Sequence, residues 1–269
     1  MNEAELLFTE VFNCDRMSLY QNYHLRLSNK KALRICAVLK RRIQGEPIQY
    51  ILGKTEFMGL ELKVTPDIFI PRPETEILVE TALRIVRSFA HSPRQKLKIL
   101  DIGTGSGCIA ISLAKLLLDI DAHIIATDIS EEALKVAYEN AVLNNVSDRI
   151  KFIKSDLFTN YQLSIINYDI IISNPPYIMS QEIKNLPAEI SYEPRISLDG
   201  GKDGLDFYRR IISEVVPYLR KQGFLLLEIG FQQKNAIESI FHKSKNFKVQ
   251  EVIRDYNDIE RVILAKRIK

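Results

Sequence analysis

The sequence has no tryptophan, only three cysteines and four histidines, and almost no net charge. Cys14, Cys36 and Cys108 are odd in number, far apart, and form no C-x-x-C pair. That excludes a disulfide framework and a zinc ribbon and predicts reduced thiols. His24, His91, His123 and His242 are scattered, and no two have the spacing of a metal pair on one helix. Long hydrophobic runs are also missing. The longest, Ile109–Leu118, is about half a membrane span and includes Lys115. The first residues, MNEAELLFTEVF, lack a basic start followed by an apolar run, so neither a signal peptide nor a membrane association is expected and the predicted location is cytoplasmic. A net charge of +3 from 37 basic and 34 acidic residues excludes a wholesale polybasic protein. The small excess is unevenly placed. Residues 1–95 hold 14 basic and 11 acidic residues, whereas residues 96–269 hold 23 of each. Between Asp15 and Glu46 there is no acid, but there are eight bases: Arg16, Arg26, Lys30, Lys31, Arg34, Lys40, Arg41 and Arg42. Such a stretch is either a solvated helix face or a surface that steers an acidic partner or nucleic acid toward the site.

A chain of 269 residues suits one large domain or two small ones, with a core that needs no metal or disulfide. From Glu3 to Gln44 apolar residues recur at helical spacing with almost no Gly or Pro, which predicts a small helical unit. Gly45, Pro47, Gly53 and Gly59 then punctuate the chain, and Thr55–Met58 with Leu60–Val64 read as a hairpin able to act as a hinge. A helix is predicted from Pro73 and Glu74 toward Ser88, followed by a linker over His91–Lys96. From Leu97 onward β-branched runs alternate with helical patterns. Strands are predicted at 98–101, 123–127, 150–154, 169–173, 223–228, 247–252 and 261–265, and helices at 108–118, 131–144, 205–219 and 232–242. This alternation is α/β, with an open, mostly parallel sheet covered on both faces. The short loop Arg254–Glu260 makes the last two strands an antiparallel pair at one edge.

Three motifs carry chemistry. The first is ILDIGTGSG (Ile99–Gly107): an apolar strand, an acid, then Gly103, Gly105 and Gly107 ahead of a helix. Glycines there let backbone approach a ligand closely. Cys108 occupies the third glycine position of G-x-G-x-x-G, so the dinucleotide fingerprint fails, and no G-K-[ST] follows to make a P-loop. The second is Asp128, 21 residues past Gly107, at the end of the next strand. A carboxylate there is suited to accept both ribose hydroxyls. The alternative reading is a helix cap, a task Ser130 can also perform. The third is SNPPY (Ser173–Tyr177) after an apolar strand. Pro175 and Pro176 hold the backbone extended and remove donors. Asn174 offers a carbonyl acceptor, the Pro175 carbonyl a second, and Tyr177 a flat face. Two acceptors and a ring fit a planar nitrogen group. Fixing such a weak nucleophile against an incoming methyl group is a proximity effect.

At these residues the sequence resembles known families. G-x-G-x-G resembles the first motif of S-adenosylmethionine-dependent methyltransferases, and N-P-P-Y the motif of those acting on exocyclic or amide nitrogens. GEPIQYILGKTEF, PDIFIPRPETE, ILDIGTGSGCIAISLA, SNPPYI, YEPRISLDGGKDGLDFYRRI, FLLLEIG and DYNDIERVILA together resemble, in order and along the whole chain, the release-factor glutamine methyltransferases (PrmC/HemK type). The resemblance implies methylation of the glutamine side-chain amide in the Gly-Gly-Gln motif of peptide chain release factors. It implies S-adenosylmethionine as methyl donor and S-adenosylhomocysteine as product. It implies a seven-stranded Rossmann-like sheet with its last strand antiparallel, joined by a β-hairpin to a helical docking unit, and divides the chain at residues 1–72 and 73–269. Asn174, Pro175 and Tyr177 would hold the glutamine amide, with Pro176 beside them. Gly103, Thr104, Gly105, Ser106, Gly107, Asp128 and Asn174 would surround the cofactor, with Asp156 and Leu157 at the adenine. Leu157 stands where some relatives carry an aromatic residue, and Asn257 where a Gly is common.

No general base is required, because the amide proton becomes acidic only once the methyl has arrived. Glu228 falls on the ligand-binding edge of such a fold, as support for the site or as a cap or salt-bridge partner. The alternative function is methylation of a nucleic-acid base, adenine or guanine, flipped into the pocket. No remaining segment resembles a target-reading region, so no stable nucleic-acid complex is expected. A non-enzymatic interaction protein that kept the fold is disfavoured by the intact motif order. A monomer is expected.

Overall fold

The computed structural model describes residues 2–21, 27–89, 96–164 and 167–269. The linker predicted at His91–Lys96 and the residues Arg26, His24 and His91 lie outside them, apart from Lys96.

The chain opens with α1 (Glu3–Phe12), α2 (Arg16–Gln21), α3 (Asn29–Ile43) and α4 (Ile48–Leu52). Asn2 and Glu5 form a reciprocal cap at the start of α1, and the Ser28 hydroxyl caps α3. Leu7, Val11, Ile35, Val38 and Ile48 are the core of this unit. The acid-free stretch is not acid-free in space. Arg16 pairs with Glu5 at 3.0 Å and Arg34 with Glu10 at 3.5 Å. Arg41 pairs with Glu46, and Arg42 is held by Glu3 and by Glu189 from the far half of the chain. Lys31 sits 4.2 Å above the Phe12 ring. Acids from distant segments fold back onto the bases, which weakens any steering field.

The predicted hairpin is β1 (Lys54–Phe57) and β2 (Leu60–Lys63). It does not hang free. Phe57 and Leu62 join the main core, while Tyr50, Val64, Ile68 and Ile70 pack on Ala133 and Val136 of a later helix. Pro73–Thr75 is a 3-10 turn leading into α5 (Glu76–Phe89), as proline at a helix start allows.

The sheet elements follow in order: β3 (Leu97–Ile102), α6 (Cys108–Leu116), β4 (Ala122–Asp128), α7 (Glu131–Leu143), β5 (Ile150–Lys154), the short α8 (Tyr161–Ser164), β6 (Tyr168–Ser173), α9 (Asp206–Glu214), β7 (Leu219–Glu228), α10 (Lys234–Ser244), β8 (Phe247–Arg254) and β9 (Glu260–Arg267). They build a seven-stranded sheet in the order β5-β4-β3-β6-β7-β9-β8. Only β9 runs against its neighbours. It is an inner strand rather than an edge, which is why its centre is a buried run, Val262–Ala265. Both faces are covered. Ile99, Ile124, Ala126, Ile170, Ile172, Leu226, Val262 and Leu264 meet α5 and α6, while Leu100, Ile102, Ile125, Ile171, Leu225, Leu227 and Ile263 meet α9 and α10. Burial on both sides explains why these strands read as continuous apolar runs.

Two boundaries differ most from the sequence reading. The helix predicted to reach Leu219 stops at Glu214, because Pro217 cannot continue it, and β7 starts four residues earlier than Gly223. Asn257 lies in the turn between β8 and β9 with its N–H on the Asp255 carboxylate at 2.8 Å, and the left-handed position is the next residue, Asp258 (φ 62°). A glycine at 257 is therefore not demanded by this turn. The three cysteines are free thiols. Among the described residues no helix is long and apolar enough to cross a membrane.

Candidate active site

Strand register assembles the site. Ile102 of β3 pairs with Thr127 of β4 and with Ser173 of β6, and Ser173 pairs with Leu227 of β7. The next residue in each chain segment is Asp128, Gly103, Asn174 and Glu228, so these four stand side by side along the carboxyl edge of the sheet. The chain leaves β3 toward β4 on one side and β6 toward β7 on the other. Loops diverge at such a reversal and leave a crevice. The cleft found there is lined by the glycine loop, Asp128–Ser130, Ser155–Leu157 and Ser173–Ile178, and by two segments sequence reasoning had left without a role, Asp67–Thr75 and Pro194–Leu198.

The glycine loop is anchored from below. The Thr104 N–H donates to the Thr127 carbonyl at 2.9 Å, and its buried hydroxyl donates to Asp101 at 2.6 Å. Burial pushes the Asp101 carboxyl up to about 7 against that hydrogen bond. Asn140 of α7, fully buried, donates to the Ser106 carbonyl and closes two bonds with the Lys63 backbone, tying the loop to the hairpin. Its sequence signal was a polar residue on the apolar face of a helix. Gly107 has φ +83°, and a Cβ there would lie 2.8 Å from Ile111 Cδ1 and 3.1 Å from Ala137 Cβ. Gly107→Ala is therefore expected to lose about 1–3 kcal/mol of stability through backbone strain and overpacking of α6 on α7. Thermal denaturation checks this, and an unchanged Tm would contradict it.

Asp128 is fixed by two backbone donors: Gly105 N–H to Oδ2 at 2.9 Å and Ser130 N–H to Oδ1 at 3.0 Å. The cap of α7 is Ser130, whose hydroxyl accepts from Ala133. Asp128 is thus released from capping and keeps further lone pairs for a ligand. Burial raises its pKa, opposed by those N–H groups. Asp156 also lines the cleft, half-exposed, in an ion pair with Arg210 at 3.0 Å. Leu157 is buried at the wall with a left-handed backbone (φ 49°), and its carbonyl accepts from the Ser155 hydroxyl.

The S-N-P-P-Y segment is pinned on both sides. The Ser173 hydroxyl donates to the Ile102 carbonyl at 2.8 Å. The Gln233 amide donates to the Tyr177 carbonyl at 2.9 Å. Gly204 (φ +72°) abuts the same carbonyl, and a Cβ there would sit 2.4 Å from it. The Asn174 side-chain amide donates to the Thr75 hydroxyl at 3.1 Å. Burial and the Glu228 carboxyl push the Tyr177 phenol up to about 12, so its ring is neutral. The rim is built by Glu193, which is almost wholly buried. It pairs with Arg72 and accepts the Ile70 N–H at 3.2 Å. The same guanidinium lies 4.6 Å from the Phe69 ring. This brings Phe69 and Pro71 to the mouth beside Pro194 and Ile196. Thr75, Phe69 and Glu193 were missed because nothing local marks them; PRPETE and YEPR were visible only as family segments.

Known proteins share this chain's fold and sequence family. The Methyltransferase small domain family model matches residues 78–191, and the PrmC N-terminal domain model matches residues 1–53. Among solved structures, a methyltransferase from Pyrococcus furiosus superposes with a TM-score of 0.56 at 20% identity, covering 90% of this chain and 100% of that one. The ribosomal protein L11 methylase of Lactobacillus delbrueckii subsp. bulgaricus gives 0.53 at 20% identity, covering 77% and 86%. The fold is that of a methyltransferase. Two curated proteins narrow the class. The release factor glutamine methyltransferase of Thermodesulfovibrio yellowstonii is 38% identical over 100% of this chain and 93% of its own length, and that of Moorella thermoacetica is 38% identical over 98% and 90%. This chain belongs to the release factor glutamine methyltransferase family.

Proposed function

We propose that this chain transfers a methyl group from S-adenosylmethionine to the side-chain amide nitrogen of the glutamine in the Gly-Gly-Gln motif of peptide chain release factors. The observation that carries the reading is the orientation of Asn174. Asn174 lines the cleft and its amide nitrogen is engaged by Thr75, so its carbonyl oxygen is the end left to accept from a substrate. The Pro175 carbonyl is the second acceptor and the Tyr177 ring the stacking face. Two acceptors on the two N–H groups of a primary amide hold its plane, and the lone pair of a delocalised nitrogen gains most from fixed alignment.

The cleft fits the cofactor. Gly103 and Gly105 have φ of +70° and +56°, and a Cβ at either would meet nothing within 4 Å, so the loop leaves open space on the ligand side. Asp128 has lone pairs for the ribose hydroxyls, and Leu157 and Asp156 flank the adenine position. When bound, S-adenosylmethionine supplies an electrophilic methyl group and departs as S-adenosylhomocysteine. The new bond is N–C, the broken one is C–S, and the amide proton passes to water. In this reading residues 1–72 dock the substrate and 73–269 perform transfer, as a monomer, with no stable nucleic-acid complex.

The test is transfer of label from S-adenosylmethionine to purified release factor, run beside total RNA and DNA. Label is expected on the factor and lost when its motif glutamine is replaced. Label on nucleic acid alone would replace this reading with base methylation.

A further inference from the structure

Glu228 ends β7 next to Asn174, is 2% exposed, and has one carboxylate oxygen, Oε2, without a partner. A buried acid with an unpaired oxygen is costly and calls for a reason. We infer that Glu228, acting with Thr75, is a positioning residue that fixes which way the Asn174 side-chain amide faces and so keeps its carbonyl oxygen turned toward the substrate. The inference rests on the proposed role of Asn174.

The argument is one of donors and acceptors. The two ends of an asparagine amide are nearly equal in shape, so only hydrogen bonding decides between them. A flipped Asn174 would present N–H groups to the N–H groups of the substrate amide. The Glu228 carboxylate, an acceptor only, lies near Thr75 and Asn174, both of which favour its charged form. A Thr75 hydroxyl whose proton faces that carboxylate has only lone pairs left for Asn174, whose nitrogen stands 3.1 Å away. The flipped amide would therefore set its oxygen against two acceptors. The backbone around the acid is held as well, since the Tyr208 hydroxyl donates to the Glu228 carbonyl at 2.9 Å.

The lock holds only while Glu228 is ionised. Once protonated, it becomes a donor able to satisfy the Asn174 oxygen. Burial pushes its pKa up to about 7; Glu74 adds to the rise, while Thr75, Arg261 and Asn174 oppose it. The other titratable groups facing it are the Cys108 thiol and the Tyr177 phenol, both pushed up to about 12, and the Tyr208 phenol, raised further. Activity is therefore expected to fall as pH drops through about 7. Asp101, under the glycine loop, is also raised to about 7, so the test is the loss of this limb in a Glu228 variant.

Glu228→Gln is expected to lower kcat at pH 8 about tenfold, the loss of one charge-assisted hydrogen bond. It should also flatten the profile between pH 6 and 8 while S-adenosylhomocysteine affinity stays within about twofold. Thr75→Val is expected to lower kcat similarly and Thr75→Ser to restore it. Wild-type kcat with the acid limb intact in Glu228→Gln overturns the inference. If that variant fails to bind S-adenosylhomocysteine and is misfolded, unchanged kcat in Thr75→Val overturns it instead. Wild type and Asn174→Ala run in the same assay separate the two failures. No label on release factor from wild type removes the functional reading. Active wild type, inactive Asn174→Ala and unaffected Glu228→Gln remove only the role of Glu228.

Discussion

Asn174→Ala is expected to lower turnover by about a thousandfold, while S-adenosylmethionine binds within about twofold of wild type. The two halves of the expectation have different sources. In the proposed function Asn174 supplies one of two acceptors for the substrate amide, so its loss would leave the nitrogen free to rotate out of line. Removing one preorganised hydrogen-bonding group from a reacting centre costs about a hundredfold to a thousandfold in kcat. Most of the proposed cofactor cradle is the β3 loop and Asp128, whose hydrogen bonds do not pass through Asn174 although that residue borders it. Steady-state kinetics with release factor and calorimetric titration of cofactor check both halves. A folded variant with normal turnover removes Asn174 from the chemistry.

Asp128→Ala is expected to weaken cofactor binding by about a hundredfold or more, with kcat at saturating cofactor changing far less. Two effects add. Hydrogen bonds from ribose hydroxyls to an ionised acceptor contribute about 1.5–3 kcal/mol each. The same carboxylate also accepts the Gly105 and Ser130 N–H groups, so its removal frees the glycine loop and the start of α7 together. Asp128→Asn keeps the shape and one acceptor oxygen, and its loss should be smaller. Titration of each variant with S-adenosylhomocysteine is the measurement. Unchanged affinity in Asp128→Ala would move the ribose site elsewhere.

Much of the fold was readable because its signals are local. The apolar runs at Ile99–Ile102, Ile124–Ala126 and Ile170–Ile172 are short, β-branched and bounded by turns, which places strands whatever the rest of the chain does. Pro217 was equally local, and the overlong helix prediction came from following apolar spacing past it. The basic stretch shows the opposite case. Its lack of nearby acids in sequence says nothing about Glu3, Glu10 or Glu189, which reach it only after folding.

By itself the sequence determined the α/β class and the order of the motifs, and it pointed to the glycine loop, Asp128 and the S-N-P-P-Y turn as the candidate site. These follow from backbone preferences and side-chain chemistry acting within a few residues. Only the tertiary structure decided that Asp128, Gly103, Asn174 and Glu228 share one row, since that depends on strand order and register between segments far apart in the chain. It also decided that Thr75, from a turn before the sheet, bonds Asn174 just past β6 and lies near Glu228 at the end of β7. An isolated threonine or buried glutamate carries no local pattern; its role appears when packing removes water and leaves each donor a single acceptor to choose.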